Sequence, residues 1–469
     1  YRSLRPLTIL VGPNDSGKSY LAMLIYSLFR AFNGELEPPG VEFHYLSRRS
    51  SRMMSRIYRD DAGWLSEHQH ELEAWLEGVV TGKSGWTVRT LPEFLQDRLR
   101  TLVDAAIEDY VDALRGEIQR CFALDDIQDL TNKARQARTF ALELKELKQH
   151  DPMQGLRAEF HQGKLKTQHR YDISDMRVGD LSFSVRRRST ISRSTKESND
   201  IRWEFLQLEL VANIMNGIFR DLRHGAYYLP AARSGILQSH KALASFMVQQ
   251  SPFAGIRRLD IPRLSGVIAD FISLLITLPH DRKGPLTELA TYLENDVLDG
   301  SVSLQSARSE YPEIFYNSGC GSWPLHRVSS MVSELAPIVL LLKYIVRRDD
   351  LLIIEEPESH LHPGNQRKLA ATIARMVRKG VRVLLTTHSD YFLSQLSNCV
   401  RRGQLKEHGD EYLLAEEVGA YVFATEEETG ASVVQELPVS TEDGIPEVTF
   451  TEVAEALYDE MVQLQEVTP

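Results

Sequence analysis

The sequence predicts an α/β protein, with a mixed sheet flanked by helices and interrupted by helical and small β insertions. An aliphatic run, Leu7–Val11, leads through a glycine-containing loop into an amphipathic stretch, Tyr20–Phe32. A second aliphatic run, Leu351–Ile354, ends in acidic residues, and a third, Val381–Thr387, ends at a histidine. Short aliphatic runs that alternate with helical stretches are typical of buried parallel strands.

The composition is that of a globular protein of 469 residues, with 42% apolar and 25% charged residues. It argues against a fibrous or mostly disordered chain. The three cysteines lie outside any CxxC pair, which disfavours a zinc cluster and a disulfide framework. Because no signal peptide is evident either, we expect a cytoplasmic protein. The longest apolar runs are too short to span a membrane, so no membrane partner is expected.

The formal net charge of −11 is unevenly distributed along the chain. From Glu407 to Pro469 there are 17 acidic residues and no lysine or arginine, which leaves +6 on the preceding residues (−11 minus −17). The acidic average therefore does not exclude nucleic acid as a ligand of the rest of the chain. The acidic segment predicts either a solvated face or a docking surface for a basic partner.

The loop after the first predicted strand has the composition of a phosphate-binding loop. Two glycines let its backbone curl, so that N–H groups converge on phosphate oxygens. Lys18 is the candidate for the β- and γ-phosphates and Ser19 for Mg²⁺, while the following helix directs its positive end at the phosphates. A plain glycine turn is the weaker interpretation. The predicted nucleotide-binding residues are Gly12, Pro13, Asn14, Asp15, Ser16, Gly17, Lys18, Ser19 and Tyr20.

The second aliphatic run predicts a strand that carries carboxylates to one edge of the sheet, because Glu355-Glu356-Pro357-Glu358 follows it. Ligand sites in open α/β sheets lie beyond the carboxyl ends of the strands. Glu355 is therefore the candidate metal ligand, directly or through water. Glu356 is the candidate that orients and polarises the attacking water. An acid-capped strand is common by itself, and the phosphate loop is what makes this interpretation strong.

Two further polar groups stand at predicted element ends. His388 follows the third aliphatic run and would reach a γ-phosphate, although a cap or core histidine is the ordinary alternative. Ser329 and Ser330 precede an apolar helical stretch, Pro337–Tyr344. Serines at a helix start are N-caps by default. The same geometry also makes an anion site, here for a γ-phosphate brought by a second subunit.

In this order the motifs resemble the ABC-type ATPases of the SMC/RecF/OLD group. The string Glu-Glu-Pro-Glu-Ser-His-Leu-His-Pro at 355–363 is most similar to the OLD-like branch, as is Tyr-Leu-Pro-Ala-Ala-Arg-Ser-Gly at 228–235. That branch includes ATPase subunits of bacterial anti-phage systems such as Septu, PARIS and Gabija. The resemblance covers roughly 200 residues, in the motif-bearing parts of the chain.

The resemblance implies roles for residues at matching positions. Lys18, Glu356 and His388 would be catalytic, Ser19 and Glu355 would bind Mg²⁺, and ATP would be the nucleotide. Ser330, with Ser329, would act in trans on the nucleotide of a second subunit. Two departures stand out: methionine follows Ser330 where many signature turns have glycine, and no strand ending in glutamine is evident after Phe32.

The implied function is a Mg²⁺-dependent ATPase that works as a homodimer or a higher homo-oligomer. In anti-phage defence, ATP-driven movement of its insertions would restrain or release a separate effector, a nuclease or a toxin. OLD nucleases carry a C-terminal Toprim domain, and the 81 residues after His388 (469 − 388) are too few for one, so no intrinsic nuclease is expected. Two alternatives stay open: a RecF- or SMC-like DNA-repair ATPase that binds DNA directly, and an ATP-dependent scaffold with little turnover.

The stretches between the motifs predict insertions. Charged and apolar residues at helical spacing predict helices from about Arg49 to Leu147, and alternation predicts strands at Tyr171–Val185. The expected organisation is ATPase core at 1–48, 201–240 and 316–440, a mainly helical insertion with a basic β/loop segment at 49–200, a helical insertion at 241–315, and an acidic C-terminal helix at 441–469.

Five arginines are candidate contacts for nucleic acid or a partner. Four of them, Arg186, Arg187, Arg188 and Arg193, lie in a stretch rich in serine and threonine, for which a solvated hairpin tip is the other interpretation. The fifth, Arg233, follows a probable strand containing Tyr228. For Arg233 a phosphate or inter-subunit contact and a structural ion pair are equally good interpretations.

Overall fold

The chain was analysed as a computed structural model that contains two compact units. One unit is formed by Tyr1–Tyr26, Cys121–Ala123 and Gly225–Pro469, and the other by Ser27–Arg120 and Leu124–His224. The structure describes residues 4–33, 63–64, 67–72, 74–75, 87–130, 139–145, 152–161, 164–177, 197–239, 263–279, 283–305, 313–405, 409–426, 432–447 and 451–467.

The described strands form three sheets. In chain order they are β1 (Leu7–Val11), β2 (Thr139–Lys145), β3 (Met153–His161), β4 (Lys164–Tyr171), β5 (Ala226–Leu229), β6 (Ser301–Gln305), β7 (Glu313–Ser318), β8 (Gly321–Pro324), β9 (Leu351–Glu355), β10 (Arg382–Thr387), β11 (Val418–Thr425) and β12 (Ser432–Leu437).

Nine α-helices of seven or more residues have described bounds. They are α1 (Lys18–Phe32), α2 (Glu93–Phe122), α3 (Glu197–Ile218), α4 (Gly266–Ile276), α5 (Thr287–Leu293), α6 (Ser330–Tyr344), α7 (Pro363–Arg378), α8 (Asp390–Arg402) and α9 (Thr451–Val467). A π-helical turn, Glu294–Leu298, continues α5, and short 3₁₀ turns lie at Val88–Thr90, Ile127–Leu130, Arg220–Leu222, Leu325–Arg327 and Ala415–Glu417. Within the described residues, no helix is both long and apolar enough to cross a bilayer.

The main sheet has six strands in the order β12-β11-β1-β10-β9-β5. Its five strands from β11 to β5 are parallel, and only the edge strand β12 is antiparallel to its neighbour. Strands β1 and β9 are buried at every position, as expected of aliphatic strands whose two faces are both covered. The predicted fold class, a mixed sheet flanked by helices, is confirmed.

The core beside this sheet is built from helices α5 to α8. Apolar residues of α6, α7 and α8 are fully buried against β1, β9 and β10 in one cluster. Helix α6 begins at Ser330, seven residues before the predicted start at Pro337. The reason is local, because Ser329 caps the helix: its hydroxyl accepts the backbone N–H of Val332 at 3.5 Å.

The second unit contains an antiparallel sheet in the order β2-β3-β4. The prediction of helices from Arg49 to Leu147 is confirmed at α2 but is wrong at Thr139–Lys145, which is strand β2. The burial of the side chains alternates from Phe140 to Lys145, which is the period of a strand. In the sequence, the charged residues on either side concealed this alternation. Strands predicted at Tyr171–Val185 are wrong over 172–177, where only a single bridge from Arg177 occurs, and 178–185 lie outside the described residues.

The third sheet, β6-β7-β8, belongs to the unit that contains the main sheet. Strand β6 lies within the stretch predicted as a helical insertion, whereas α4, α5 and the π-helical turn agree with that prediction. Near the end of the chain, α9 lies within the stretch expected to be an acidic C-terminal helix. The boundaries of the predicted core segments and insertions stay a prediction.

Candidate active site at the carboxyl edge of the sheet

The register of the main sheet brings three chemically important strand ends together. In the parallel pair of β1 and β10, Val11 lies opposite Thr387. In the pair of β10 and β9, Thr386 lies opposite Glu355. The phosphate loop, the histidine and the acidic turn therefore leave the same edge of the sheet on neighbouring strands. This is the edge at which ligands bind in open α/β sheets.

The loop between β1 and α1 needs both of its glycines. Gly12 has φ +147°, and a Cβ added to it would lie 2.6 Å from the carbonyl oxygen of Phe423 in β11. Gly17 has φ +96°, which L side chains rarely adopt. The loop is thus curled and packed directly onto the neighbouring strand, as a phosphate-binding backbone requires.

The Lys18 ammonium caps the loop from the inside. Its Nζ donates to the carbonyl oxygens of Gly12 at 2.9 Å and Pro13 at 2.6 Å. Burial lowers the pKa of Lys18, whereas the carboxylates of Glu356, Asp15 and Glu355 act in the opposite direction. The ammonium is therefore held over the loop, among carboxylates that favour its charged form, with carbonyl partners that an anion could replace.

The other loop residues divide by exposure. Ser16 is buried, whereas Pro13, Asn14 and Asp15 lie on the surface. Ser19, in the first turn of α1, is exposed as well. Tyr20 is 62% exposed and its ring lies 5.3 Å from that of Phe122. The side chains of Ser19 and Tyr20 are thus accessible from solvent, whereas those of Ser16 and Lys18 are buried.

Glu355 is the last residue of β9 and is 8% exposed. Its Oε2 accepts the backbone N–H of Ala231, which follows β5, at 3.1 Å. Burial and the neighbouring Glu355 carboxylate raise the pKa of Tyr228 well above its usual value. Glu355 is thus a carboxylate fixed at the sheet edge, a position suited to a hard cation.

Glu356 has an unusual backbone, with φ +42° in the left-handed region. Its N–H contacts Thr386, donating to the carbonyl oxygen at 3.0 Å and to Oγ1 at 3.2 Å. On its other side, its carbonyl accepts Nη2 of Arg233 at 3.2 Å. Such a conformation in a non-glycine residue costs about 1–3 kcal/mol and persists only where the surroundings enforce it. Here they do, and the side chain, 39% exposed, points out of the sheet edge.

His388 follows β10, and its Nε2 lies 3.7 Å from Oε1 of Glu356. Burial lowers the pKa of His388, and the charge of Lys18 lowers it further, while Glu356 acts in the opposite direction. The imidazole is therefore neutral at pH 7, able to accept or donate one hydrogen bond. The structure brings the three predicted catalytic side chains, Lys18, Glu356 and His388, into one electrostatically coupled group.

Glu358 and Thr387 belong to the same edge, and sequence reasoning gave neither of them a role. The Thr387 hydroxyl and the His388 backbone N–H both donate to Oε1 of Glu358, each at 2.7 Å. The third acid of Glu-Glu-Pro-Glu, and the threonine before the histidine, were the available signals. The contact itself joins residues about 30 positions apart, so only the strand register reveals it.

Arg233 is completely buried, which excludes a direct contact with nucleic acid or a partner in this structure. Its Nε lies 2.9 Å from Oε2 of Glu334, a residue that is also fully buried. Its Nη1 donates to the carbonyl of Glu355 at 2.7 Å. The prediction of a phosphate or inter-subunit contact is therefore wrong for this conformation. The structural ion pair is the interpretation that the structure contains, and it joins the acidic turn to α6.

The serine turn lies at the N-terminus of α6. Ser329 is the N-cap, which is the default role of a serine there, and Ser330 is exposed at the first helical position. Met331 Sδ contacts Nδ2 of Asn365 at 3.1 Å. Ser330 and the helix N-terminus are thus open to solvent, but the action of Ser330 in trans stays a prediction. The arginines at 186–188 and 193 lie outside the described residues, so their contacts stay predictions too.

One family model matches part of the unit that contains the main sheet. The family described as AAA ATPase domain matches residues 283–393, which contain α6, the acidic turn and His388. Residues 283–393 are thus similar to AAA ATPase domains.

Similar solved structures are heads of SMC proteins. They include the SmcHead bound to the C-winged helix domain of ScpA, at 12% identity over 92% of this chain and 90% of that chain, with a TM-score of 0.37. A second is the Smc head with an extended coiled coil bound to the C-terminal domain of ScpA, from Pyrococcus furiosus, at 12% identity over 97% of this chain and 92% of that chain, with a TM-score of 0.33. A third is the SMC head from Thermotoga maritima, at 10% identity over 93% of this chain and 92% of that chain, with a TM-score of 0.31.

Proposed function

We propose that this protein hydrolyses ATP at the carboxyl edge of its main sheet. The observation that carries the proposal is the coupled group of Lys18, Glu356 and His388 beside a glycine loop packed on β11. A lysine for phosphate, a carboxylate for water and a neutral histidine are the side chains that phosphoryl transfer to water uses. Their convergence on adjacent parallel strands is much more specific than each motif is separately.

The residues present fit a nucleoside triphosphate and Mg²⁺. The loop backbone is curled by Gly12 and Gly17, and Lys18 is held by carbonyls rather than by a carboxylate, so a phosphate could replace those partners. Ser19 offers an exposed hydroxyl, and Glu355 a fixed carboxylate, as hard oxygen ligands. Mg²⁺, when bound, would neutralise charge on the β- and γ-phosphates.

In the proposed mechanism each side chain acts on a defined atom. Lys18 leaves its two carbonyl partners and binds β- and γ-phosphate oxygens, while the loop N–H groups hold the phosphate chain. Glu356 Oε1 or Oε2 orients a water molecule in line with the γ-phosphorus and takes its proton. His388, neutral at the outset, binds the γ-phosphate and senses its departure. The water oxygen bonds to the γ-phosphorus as the bond from that phosphorus to the β,γ-bridging oxygen breaks, so that ADP keeps the bridging oxygen. Glu356 passes its proton to the phosphate, and phosphate and ADP then leave.

We infer that two subunits act together. Ser330 is exposed at the N-terminus of α6, a 15-residue helix, and such a terminus favours an anion. Lys18 of one subunit would bind the γ-phosphate, and Ser330 of another subunit would complete its binding site. ATP would thus hold two subunits together as a homodimer, and hydrolysis would let them separate. Higher homo-oligomers would be assemblies of such dimers.

The proposed cellular role rests on the resemblance of the motif string at 355–363 to OLD-like ATPases of anti-phage systems. ATP-dependent joining and release of subunits would move the insertions and thereby restrain or release a separate effector nuclease or toxin. This role places the protein in the cytoplasm. A pull-down with the native mass of the complex tests it: recovery of one stoichiometric effector is expected, and a complex containing this chain alone would contradict it.

Turnover tests the chemical proposal directly. We expect the purified chain to release phosphate from ATP in the presence of Mg²⁺, and Glu356→Gln to abolish that release while it still binds ATP. Lys18→Ala should weaken nucleotide binding itself. Full turnover in Glu356→Gln would eliminate the proposed mechanism.

A further inference from the structure

Glu358 is a buried carboxylate that has no role in the proposed mechanism. Its side chain is 8% exposed, and its Oε1 accepts two hydrogen bonds of 2.7 Å from the end of β10. One comes from the hydroxyl of Thr387 and the other from the backbone N–H of His388. The second oxygen, Oε2, is buried and has no hydrogen-bond partner within the described residues. Both hydrogen bonds to Oε1 therefore come from the end of the same strand.

A carboxylate in this place is costly, because burial raises the pKa of Glu358 and the charge of Glu356 raises it further. The two hydrogen bonds act in the opposite direction. Hydrogen bonds to an ionised acceptor are shorter and about twice as strong as neutral ones. The buried cation nearby is Arg233, on which Glu358 also acts electrostatically. The Glu358 carboxylate is thus removed from solvent, and its hydrogen bond fixes the backbone of His388.

The hold has a direct geometric consequence for the catalytic pair. Glu356 and Glu358 lie in the same turn, two residues apart. Glu356 N–H binds Thr386, while Glu358 binds Thr387 and His388, so the turn is tied to three consecutive residues of the neighbouring chain segment. The imidazole of His388 stands 3.7 Å from Glu356 because its own backbone is fixed to that turn.

We propose that Glu358 is a positioning residue that sets the distance between His388 and Glu356 during ATP hydrolysis. The inference rests on the proposed function, since it assigns a role within that reaction. Glu358 does not touch the nucleotide; it acts through the backbone of His388. Displacement of a catalytic group by about 1 Å can cost about 10²-fold in rate, so a residue that fixes this distance controls turnover.

A double-mutant cycle with the full chain tests this role. Glu358→Ala should lower kcat about 10²-fold, while the Kd for a fluorescent non-hydrolysable ATP analogue stays within about twofold. In a His388→Ala background, adding Glu358→Ala should change kcat less than about threefold, because the group that it positions is gone. Glu358→Gln keeps an Oε1 acceptor and should lose less than about fivefold. Glu442→Ala removes an exposed acid and is the matched control.

Several results would overturn the proposal: additive losses in the cycle, a Gln variant as slow as the Ala variant, or weakened analogue binding. If Glu358→Ala fails to fold, Thr387→Val and Glu358→Gln are tested in its place. Thr387→Val should lower kcat and leave the Kd of the analogue unchanged. A wild-type chain without turnover would sink the proposed ATPase itself. If Glu356→Gln loses turnover but the effects of the Glu358 and His388 variants on kcat are additive, only the positioning role of Glu358 is contradicted.

Discussion

The two parts of the proposed ATP site differ in how completely one chain builds them. At the carboxyl edge of the main sheet, Glu356 and Lys18 are fixed by several contacts each, and the carboxylates of Glu355 and Glu358 are buried. At the serine turn, Ser329 is used by its own helix and Ser330 faces solvent. The catalytic part is preorganised by strand register, whereas the serine part is a surface. In the proposed function, one subunit holds the catalytic side chains and the serine turn of a second subunit completes the site.

The largest effect expected on the preorganised part is that of Glu356→Gln. An amide cannot take the proton of the attacking water, so kcat should fall by about 10²–10⁴-fold. Phosphate release under saturating ATP measures it, and analogue binding is the control. If turnover instead depended mainly on the serine turn, this variant would retain much of its activity.

The next expected effect concerns the buried connection between the two parts, the ion pair of Arg233 and Glu334. Arg233→Met leaves a buried carboxylate unpaired, which should lower the free energy of unfolding by about 3–5 kcal/mol. Urea denaturation measures it. The double variant Arg233→Met with Glu334→Leu should recover part of the loss, since Arg233 also binds the carbonyls of Glu355 and Glu356. If Arg233→Met alone lowered the free energy of unfolding by less than about 1 kcal/mol, this account would be contradicted.

Lys18→Ala should weaken ATP binding by about 10–100-fold, the worth of a lost charge-assisted hydrogen bond. Isothermal titration with the Mg²⁺-bound nucleotide measures it. Lys379→Ala is the matched control, because Lys379 is a half-exposed lysine at the opposite edge of the sheet, just before β10. Equal affinities for the two variants would remove Lys18 from the nucleotide site.

Ser330→Arg probes the exposed part. Because the side chain belongs to the surface, the fold and nucleotide binding by one subunit should be preserved, while turnover falls about tenfold. Wild-type specific activity should rise with protein concentration, and the variant should lose that dependence. A concentration-independent wild-type rate, unaffected by Ser330→Arg, would mean that one chain carries the whole site.

The smallest effect is the pH dependence. Burial and Lys18 lower the pKa of His388 from 6.5, so the imidazole is neutral through pH 7–8 and becomes protonated only below 6.5. Turnover should therefore stay level from about pH 7 to 8 and decline only as the pH falls below the ordinary histidine value. His388→Gln should lack the histidine-dependent part of that decline. A decline that begins near pH 8 would show that the pKa of His388 is raised and not lowered.

The sequence was sufficient where signals were local. β1, β9 and β10 are short runs of mainly aliphatic residues, so they and their polar ends could be predicted as strands, and the glycine loop was recognisable from its spacing. Strand order and register were beyond reach, because they depend on which runs pack together. Glu358 was missed for that reason: its carboxylate meets Thr387 only after β9 and β10 align.

Arg233 and strand β2 show two other limits. The guanidinium of Arg233 meets Glu334 101 positions later, and nothing local distinguishes a buried arginine from an exposed one. In β2, alternating residues of one short strand were outweighed by the helical pattern around them, a familiar conflict between periods. The first failure arises from a contact between residues distant in sequence, and the second from two local patterns that compete.

The packing of Gly12 against Phe423 has a consequence for how the protein is made. Strand β1 pairs with β10 and β11, whose residues leave the ribosome some 400 positions later. At about 5–20 residues per second, the first strand waits roughly 20–80 s for its neighbours. During that interval Leu7–Val11 is an unpaired aliphatic strand, a hazard for aggregation. The phosphate loop is thus completed only after a further 400 residues or so have been synthesised, so the proposed ATP site cannot form before β10 and β11 have left the ribosome.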